Sequence, residues 1–412
     1  MDPLRRQVLR GGLAGCCLCG ASAWATPLST NLAPLVGDDY QPADVDERGL
    51  WQSLERFEED LANSSTVLKS PDLQSYTLDV LGRLLGHAPT GIRVYIVRES
   101  SFNASMFPNG MMLVQTGFMA HAMNEAQYAA VLGHECGHYF RKHILQGYRD
   151  RRVKSAAIAF VGAGANAIGG YASATGHNGQ GWIDLANAIN TNLVASVFRF
   201  SRDLETEADA YGIMMMTRAG YQPSAASDVW RQLIEQRQRS AAMRDKRFKP
   251  SQVDTLSTHP PEQARMKDLL DTAEELKRHN SSTVFEDGAD RWRAAIKPHR
   301  AMLLEEQVKL NDPGASLYLI EQHAKDSWDG ELRFFQGEVY RLRGAEGDKV
   351  QAAEAYAAAV AFQDAPASAW KAHGYELLKS GKAVEGKVAL SRYLELQPEA
   401  PDAAMVKFTI NQ

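Results

Sequence analysis

The chain has 412 residues, of which 44% are hydrophobic and 23% are charged, and its formal net charge at pH 7 is -5. This composition is typical of a folded protein of two or three domains and excludes a largely disordered chain. The slight acidic excess argues against nucleic acid as the main partner, because nucleic-acid-binding proteins more often carry a basic face.

Residues 1–25 are predicted to be an export signal. Arg5 and Arg6 begin a positive segment, a short Gly- and Ala-rich apolar run follows, and Ala23-Trp24-Ala25 has the small-x-small pattern of a signal-peptidase site. The arginine pair is typical of the twin-arginine signal, so we expect export to the periplasm. The alternative is lipoprotein anchoring at Cys16, for which the preceding apolar run is short. Cleavage after residue 25 leaves one cysteine, so no internal disulfide is expected.

The next segments predict helices and a small sheet. Residues 26–45 are expected to be an extended lead-in, followed by helices from residue 46, with a helix start signal at Ser70-Pro71. Residues 91–97 are rich in β-branched side chains and predict a strand. The Asn109-Gly110 pair predicts a hairpin turn. We expect the strand after this turn to be an edge strand to which a substrate backbone adds, represented by Met111, Leu113 and Gln115.

The helix expected from about residue 124 to 143 carries His134-Glu135-Cys136-Gly137-His138. Its two histidines are four residues apart and leave the same face, as two zinc ligands on one helix must. Glu135 lies about 100° round the helix from His134, which suits a general base beside a metal. Gly137 lies on the other flank, where its missing side chain allows another element to approach. The bare motif also arises by chance, on the order of one or two times per hundred chains of this length.

A catalytic zinc needs a third protein ligand. His143 is nine residues from His134, so on a continuous helix it would face away from the metal. Glu205 and Asp209 are better candidates because they are four residues apart on a second predicted helix. Glu205 can bind the metal while Asp209 accepts the second ring N–H of a ligand histidine. The alternative is a solvated acidic helix face, since Glu207 is adjacent.

The remaining segments are mostly helical by prediction. Residues 156–174 are expected to form a helix packed on the protein, with a membrane span as the alternative, and residues 176–182 a loop that could cover the site. From residue 291 the chain predicts Ala-rich helical hairpins. Residues 291–412 are therefore expected to be a tetratricopeptide-like domain that binds peptides or a partner, with a generic helical tail as the alternative. The repeat pattern consists of Gly337, Tyr340, Trp370, Gly374, Gly386 and Pro398.

The combination of His134-Glu135-x-x-His138 with Ser201-Arg202-x-x-Glu205-x-x-Ala208-Asp209 resembles the HtpX and CAAX prenyl protease family of zinc metallopeptidases. Asn103-Ala104, Gly110 and Thr258-His259-Pro260-Pro261-x-x-x-Arg265 extend the resemblance, which covers residues 46–280. It implies a mostly α (α+β) fold, with a gluzincin-like helical metallopeptidase domain and small β-sheet over residues 46–290. It also implies that the two histidines and Glu205 bind one Zn²⁺.

Two residues need separate interpretation. Cys136 stands where the family usually has an aliphatic residue, and its position two residues after His134 points it away from the metal. Buried packing is expected for it, with a redox role as the alternative. The resemblance implies that His259 either occupies the fourth zinc position in a latent enzyme or assists catalysis. The alternative is a loop histidine without such a role, since two prolines follow it.

The resemblance, the signal and the repeats together imply a zinc-dependent endopeptidase of the bacterial periplasm that degrades unfolded or misassembled outer-membrane proteins. Glu135 would assist the attack of water on the peptide bond. The alternative is a chaperone or assembly factor that binds clients through its repeats and has latent protease activity. The expected partners are polypeptide substrates and the outer-membrane assembly machinery, with no nucleic acid. Membrane association is left open, without a clear transmembrane span.

Overall fold

A computed structural model of the chain describes residues 33–155, 200–246, 248 and 263–412. The export signal with Cys16, the 156–174 stretch, the 176–182 loop and His259 lie outside the described residues. Residues 35–412 belong to one compact unit, and the two described residues that precede it belong to another. In the described part of the chain, no helix has the length and apolarity needed to cross a membrane.

In the described residues, two helices precede the sheet. Helix α1 spans Val45–Ala62 and is capped by the Asp44 side chain, which accepts a hydrogen bond from the backbone of Glu47. Helix α2 spans Pro71–Leu85 and begins at the predicted Ser70-Pro71 signal. The apolar side of α1 packs against the sheet and the region after residue 143, and this cluster is a main part of the core. Its members include Leu50, Leu54, Phe57, Leu61, Met111, Leu113, Ile144 and Leu145.

The sheet has three strands in the order β1-β3-β2, namely β1 (Arg93–Val97), β2 (Ala104–Met106) and β3 (Met111–Gln115). The predicted hairpin is present, with β2 antiparallel to β3 and Gly110 at a φ of 82° in the turn.

The expectation that the strand carrying Met111, Leu113 and Gln115 is an edge strand is wrong. β1 pairs with β3 in parallel on its other side, so β3 is the central strand. All five residues of β3 are buried, which agrees with the apolar character of its first four residues. Within the described sheet, β1 and β2 are the edges.

Helix α4 carries the two histidines of the predicted metal site. It spans Glu125–Phe140, and every residue in it except Val131 is buried. The other described helices of this part of the chain are, in chain order, α3 (Thr116–His121), α5 (His143–Ser155), α6 (Arg202–Arg218), α7 (Ala225–Met243) and α8 (Gln263–His279).

Helices α4 and α6 meet along small residues. A Cβ built on Gly137 would lie 3.0 Å from the Cα of Ala208, and one built on Gly212 would lie 2.7 Å from the backbone nitrogen of His134. The close approach predicted from Gly137 is therefore confirmed. It brings the first turn of α6 beside the histidines of α4.

The C-terminal part is helical throughout. Its helices are α9 (Ala289–Ile296), α10 (Arg300–Lys309), α11 (Pro313–His323), α12 (Gly330–Arg343), α13 (Asp348–Val360), α14 (Ala367–Lys379), α15 (Ala383–Leu396) and α16 (Ala403–Asn411). Trp292 of α9 is fully buried, stacks on Tyr128 of α4 with ring centroids 4.6 Å apart, and donates to the carbonyl of Ala122. The expected mostly helical architecture with a small sheet is confirmed.

Candidate metal centre

The two histidines of α4 point their Nε2 atoms at each other. The Nε2 atoms of His134 and His138 are 3.1 Å apart, and both side chains are buried. Helix periodicity places the rings one turn apart on one face. The helix is fixed at its start by Asn124, whose side chain accepts a hydrogen bond from the backbone of Gln127.

The structure brings Glu205 to the same point. One Glu205 carboxylate oxygen lies 3.6 Å from Nε2 of His134, and the other lies 3.6 Å from Nε2 of His138. Among the histidine, cysteine, aspartate and glutamate side chains of the described residues, His134, His138 and Glu205 have ligand atoms that all lie within 4.8 Å of one another, as a metal site requires. Glu205 reaches the histidines because it lies on the first turn of α6, capped by Ser201, where the helices approach closely.

The donor set fits a catalytic zinc ion. Two imidazole nitrogens and one carboxylate oxygen are a known ligand set for catalytic zinc, which binds them at about 2.0–2.2 Å. Ligand atoms placed tetrahedrally at that distance would be about 3.3 Å apart, close to the 3.1 and 3.6 Å observed. The residues present therefore fit the metal without rearrangement of the helices.

Asp209 contacts Nδ1 of His134, the ring nitrogen that is not part of the converging ligand set. Its Oδ1 lies 2.9 Å from Nδ1 of His134, one helical turn after Glu205. Burial alone would raise the pKa of Asp209, but the Arg265 guanidinium and the contact with His134 hold that pKa well below its ordinary value. An ionised Asp209 accepts a hydrogen bond from Nδ1–H of His134, which leaves Nε2 of His134 unprotonated and available as a ligand atom.

Arg265 of α8 joins the two carboxylates. Its guanidinium makes two hydrogen bonds to Asp209, at 2.7 and 2.8 Å, and a third nitrogen lies 2.9 Å from Glu205. The guanidinium also lies over the ring of Trp230, 4.3 Å from its centroid. Sequence reasoning noted Arg265 as part of a motif but gave it no role, because its partners lie more than 50 residues away in the chain.

His143 does not face away from the centre, as the continuous-helix argument predicted. Helix α4 ends at Phe140, Lys142 has a φ of 57°, and α5 begins at His143 itself. This break turns the His143 ring back onto His138, with their Nδ1 atoms 2.9 Å apart. Burial lowers the pKa of His143 below its ordinary value, although the nearby Glu207 carboxylate acts in the opposite direction. His143 is outside the converging ligand set.

Glu135 lines a cleft beside the centre. The cleft has a volume of about 540 Å³ including its open mouth, and its polar lining includes His134, Glu135 and Asp209. Asn103 and Ala104, at the start of β2, form part of its rim. The rest of the lining is mainly apolar and includes Phe102, Val131, Ile213, Val229, Trp230 and Leu269.

Helix periodicity places Cys136 on the side of α4 away from His134, and Cys136 is not among the residues that line the cleft. It is fully buried, and burial together with the charge of Glu135 raises the pKa of its thiol far above the ordinary value. A neutral buried thiol behaves as a small apolar side chain, which agrees with the packing role expected for it.

The sequence of the chain also matches a known protein family. The model of "Peptidase family M48" matches residues 68–273, which contain the whole converging cluster. The chain belongs to peptidase family M48. As a member of that family it is a metallopeptidase, and the resemblance derived from its motifs is confirmed.

Similar proteins occur in bacteria and in a plant. The "Beta-barrel assembly-enhancing protease" of Escherichia coli is 25% identical over 220 residues, 53% of this chain and 42% of the relative. A "Putative beta-barrel assembly-enhancing protease" of Vibrio cholerae is 26% identical over 217 residues, 52% of this chain and 42% of the relative. The "Mitochondrial metalloendopeptidase OMA1" of Arabidopsis thaliana is 29% identical over 178 residues, 42% of this chain and 30% of the relative. The matched region is less than half of each relative.

Proposed function

We propose that the protein is a zinc-dependent endopeptidase of the bacterial periplasm that degrades unfolded or misassembled outer-membrane proteins. The observation that carries the chemistry is the convergence of His134, His138 and Glu205 beside Glu135. The names of the bacterial relatives refer to β-barrel assembly, which supports an outer-membrane protein as substrate. The predicted export signal supports the periplasm as the compartment.

Zinc is the proposed metal because the ligand set is two imidazoles and one carboxylate with tetrahedral spacing. When bound, zinc acts as a Lewis acid that activates water and polarises the scissile carbonyl. His134, His138 and Glu205 hold it, while Asp209 fixes the ring of His134. Arg265 lies against both Glu205 and Asp209, and its positive charge offsets part of their negative charge.

Glu135 is the proposed general base. It follows His134 directly and lines the cleft, which is the space that a substrate carbonyl and an attacking water would share. A carboxylate there accepts the proton of the water and returns it to the leaving amine.

The substrate is proposed to bind as an extended strand along β2. This strand forms an edge of the described sheet and lies against α4, and its Ala104 lines the cleft that also holds Glu135. Addition of a strand to an edge gives main-chain affinity with loose sequence preference, which suits unfolded chains. The apolar cleft wall favours a bulky apolar side chain next to the scissile bond.

The helices after residue 290 are proposed to be a tetratricopeptide-like domain. The pairs α12–α13 and α14–α15 pack as hairpins in which glycines permit close contact. A Cβ on Gly337 would lie 2.4 Å from the Tyr356 ring, and one on Gly374 would lie 2.8 Å from Leu390. Both glycines belong to the predicted repeat pattern.

A second candidate function, client binding as a chaperone or assembly factor, is favoured by apolar side chains exposed on the last two helices. Val384 and Val388 of α15 are 75% and 64% exposed, and Met405 and Phe408 of α16 are 59% and 65% exposed. If these residues hold clients, the double substitution Val384→Glu and Val388→Glu will weaken binding of an unfolded outer-membrane protein without slowing cleavage of a short peptide. Loss of both activities, or of neither, contradicts this second function.

The predicted His259 gate and the mature N-terminus remain proposals. We propose that His259 controls access to the fourth zinc position, so His259→Ala is expected to raise cleavage of casein if the enzyme is latent.

Export with cleavage after residue 25 is tested by the mass of the protein recovered from periplasm. Lipidation at Cys16 would give a different mass and a membrane fraction.

The main proposal is tested by removal and return of zinc. The wild-type protein is stripped with a chelator and assayed on an unfolded casein before and after addition of one equivalent of Zn²⁺. Cleavage is expected to disappear and return, and Glu205→Ala is expected to show neither stoichiometric zinc nor cleavage. Cleavage that survives complete zinc removal contradicts the proposed function.

A further inference from the structure

His143 lies in contact with one of the proposed metal ligands, although it is not a ligand itself. Its Nδ1 is 2.9 Å from Nδ1 of His138, and its ring is fully buried. We propose that His143 is a positioning residue, which accepts a hydrogen bond from Nδ1–H of His138 and thereby presents the Nε2 lone pair of His138 to the metal. The proposal rests on the metal centre described under the proposed function.

The direction of this hydrogen bond follows from the positions of the two nitrogens of His138. Nε2 of His138 faces Nε2 of His134 at 3.1 Å and Glu205 at 3.6 Å, so it must be unprotonated to bind a cation there. The proton of the neutral ring is then on Nδ1. Two Nδ1 atoms at 2.9 Å share one proton, so Nδ1 of His143 is the acceptor.

The second ring nitrogen of His143, Nε2, faces a carboxylate. Because Nδ1 of His143 accepts, its own proton is on Nε2, which lies 3.5 Å from a carboxylate oxygen of Glu207. The other Glu207 oxygen accepts a hydrogen bond from Arg141. A carboxylate therefore faces the N–H side of His143 and favours the tautomer that can accept from His138.

The backbone conformation just before His143 places its ring against His138. On a continuous helix a residue five positions after His138 would lie about 140° away round the axis. Instead, Lys142 adopts a left-handed conformation, which is unfavourable for a residue with a side chain. The Lys142 ammonium is held by Glu47 at 3.0 Å and by Tyr40 at 2.6 Å, which stabilises the break.

Neighbouring rings fix the two imidazoles. His138 stacks on Phe200 with centroids 3.8 Å apart, and the His138 and His143 rings meet edge to face at 5.0 Å. His138 is 1% exposed and His143 is 0% exposed, so no bulk water can replace the acceptor if the His143 side chain is lost. The two ligand histidines therefore have different supports, a carboxylate for His134 and a neutral imidazole for His138.

Three substitutions in the full chain test the proposal. His143→Asn keeps an acceptor near the Nδ1 position, His143→Gln moves the amide towards the Nε2 position, and His143→Leu removes the acceptor at similar volume. Zinc affinity is measured by competition with a chromophoric chelator, and the ligand field by the visible spectrum of the cobalt-substituted protein. Loss of a residue that orients a ligand typically weakens metal binding about 10- to 100-fold.

We expect His143→Leu and His143→Gln to bind zinc at least about tenfold more weakly than wild type, with a changed cobalt spectrum, and His143→Asn to stay within about threefold. The melting temperatures of the metal-free proteins are compared as a control. A packing role alone predicts affinity losses that follow melting temperature across the three variants, and that result overturns the proposal. If His143→Leu does not fold, the Asn and Gln variants decide the question, and equal affinities for these two overturn it.

The failure of this proposal differs from the failure of the proposed function. If wild type binds zinc and all three variants bind it equally well, His143 has no positioning role and the metal centre stands. If wild type binds no zinc, the metal centre and the role of His143 are both wrong.

Discussion

Gly212 of α6 lies against the backbone of His134, so that a Cβ on the glycine would be 2.7 Å from the His134 nitrogen. No side chain fits this gap without displacing one helix from the other. The distance between α4 and α6 is also what places Glu205 within 3.6 Å of both histidines. Helix packing and ligand geometry are therefore set by the same contact.

Gly212→Ala is predicted to weaken zinc binding because it pushes α6, and Glu205 with it, away from α4. We expect a loss of at least about tenfold in zinc affinity and of about 1–3 kcal/mol in the free energy of unfolding. Chelator competition and urea unfolding provide the two measurements. The control is Gly49→Ala on α1, where the added Cβ meets nothing within 4 Å. Wild-type zinc affinity in Gly212→Ala would show that the helix contact does not position Glu205.

Arg265→Met is predicted to destabilise the metal-free protein by about 3–5 kcal/mol, because it leaves Glu205 and Asp209 buried together without a cation. Urea unfolding in the presence of chelator measures this loss, and added zinc is expected to restore part of it by supplying positive charge. Arg231→Met on α7 is the matched control, since Arg231 makes exposed ion pairs that contribute little. Equal losses for the two variants would contradict the compensating role of Arg265.

His323 is predicted to make stability fall as the pH drops from about 6.5 to 4. Burial lowers the pKa of His323 to about 4 in the folded protein, so the unfolded chain binds a proton in this range while the folded chain does not. The contribution is full above pH 6.5, and up to about 3 kcal/mol is lost on approach to pH 4. The free energy of urea unfolding at several pH values gives the profile.

The control for this profile is His323→Gln, which keeps a donor for the Ala120 carbonyl that His323 contacts at 2.8 Å. Glutamine does not titrate, so its unfolding free energy should fall less over the same pH range. Identical profiles for wild type and His323→Gln would show that this histidine is not the source of the pH dependence.

Local patterns in the sequence predicted the helix starts, the hairpin and the positions of the two histidines, because each depends on spacing within about ten residues. Glu205 could be predicted as a ligand from its helical spacing to Asp209 and from the family resemblance. The central position of β3 was missed because its parallel pairing with β1 is not signalled by the hairpin. The turn of His143 towards His138 was missed because Lys142, not a glycine, adopts the left-handed conformation that ends α4.

The central claim, that this metal centre hydrolyses peptide bonds with Glu135 as the base, is tested most directly by Glu135→Gln. Zinc content and cleavage of unfolded casein are measured on the same sample of this variant. The account predicts one zinc per chain, as in wild type, with cleavage reduced by at least about a hundredfold, since general-base catalysis commonly contributes 10²–10⁴-fold. Full zinc content with undiminished cleavage would contradict it.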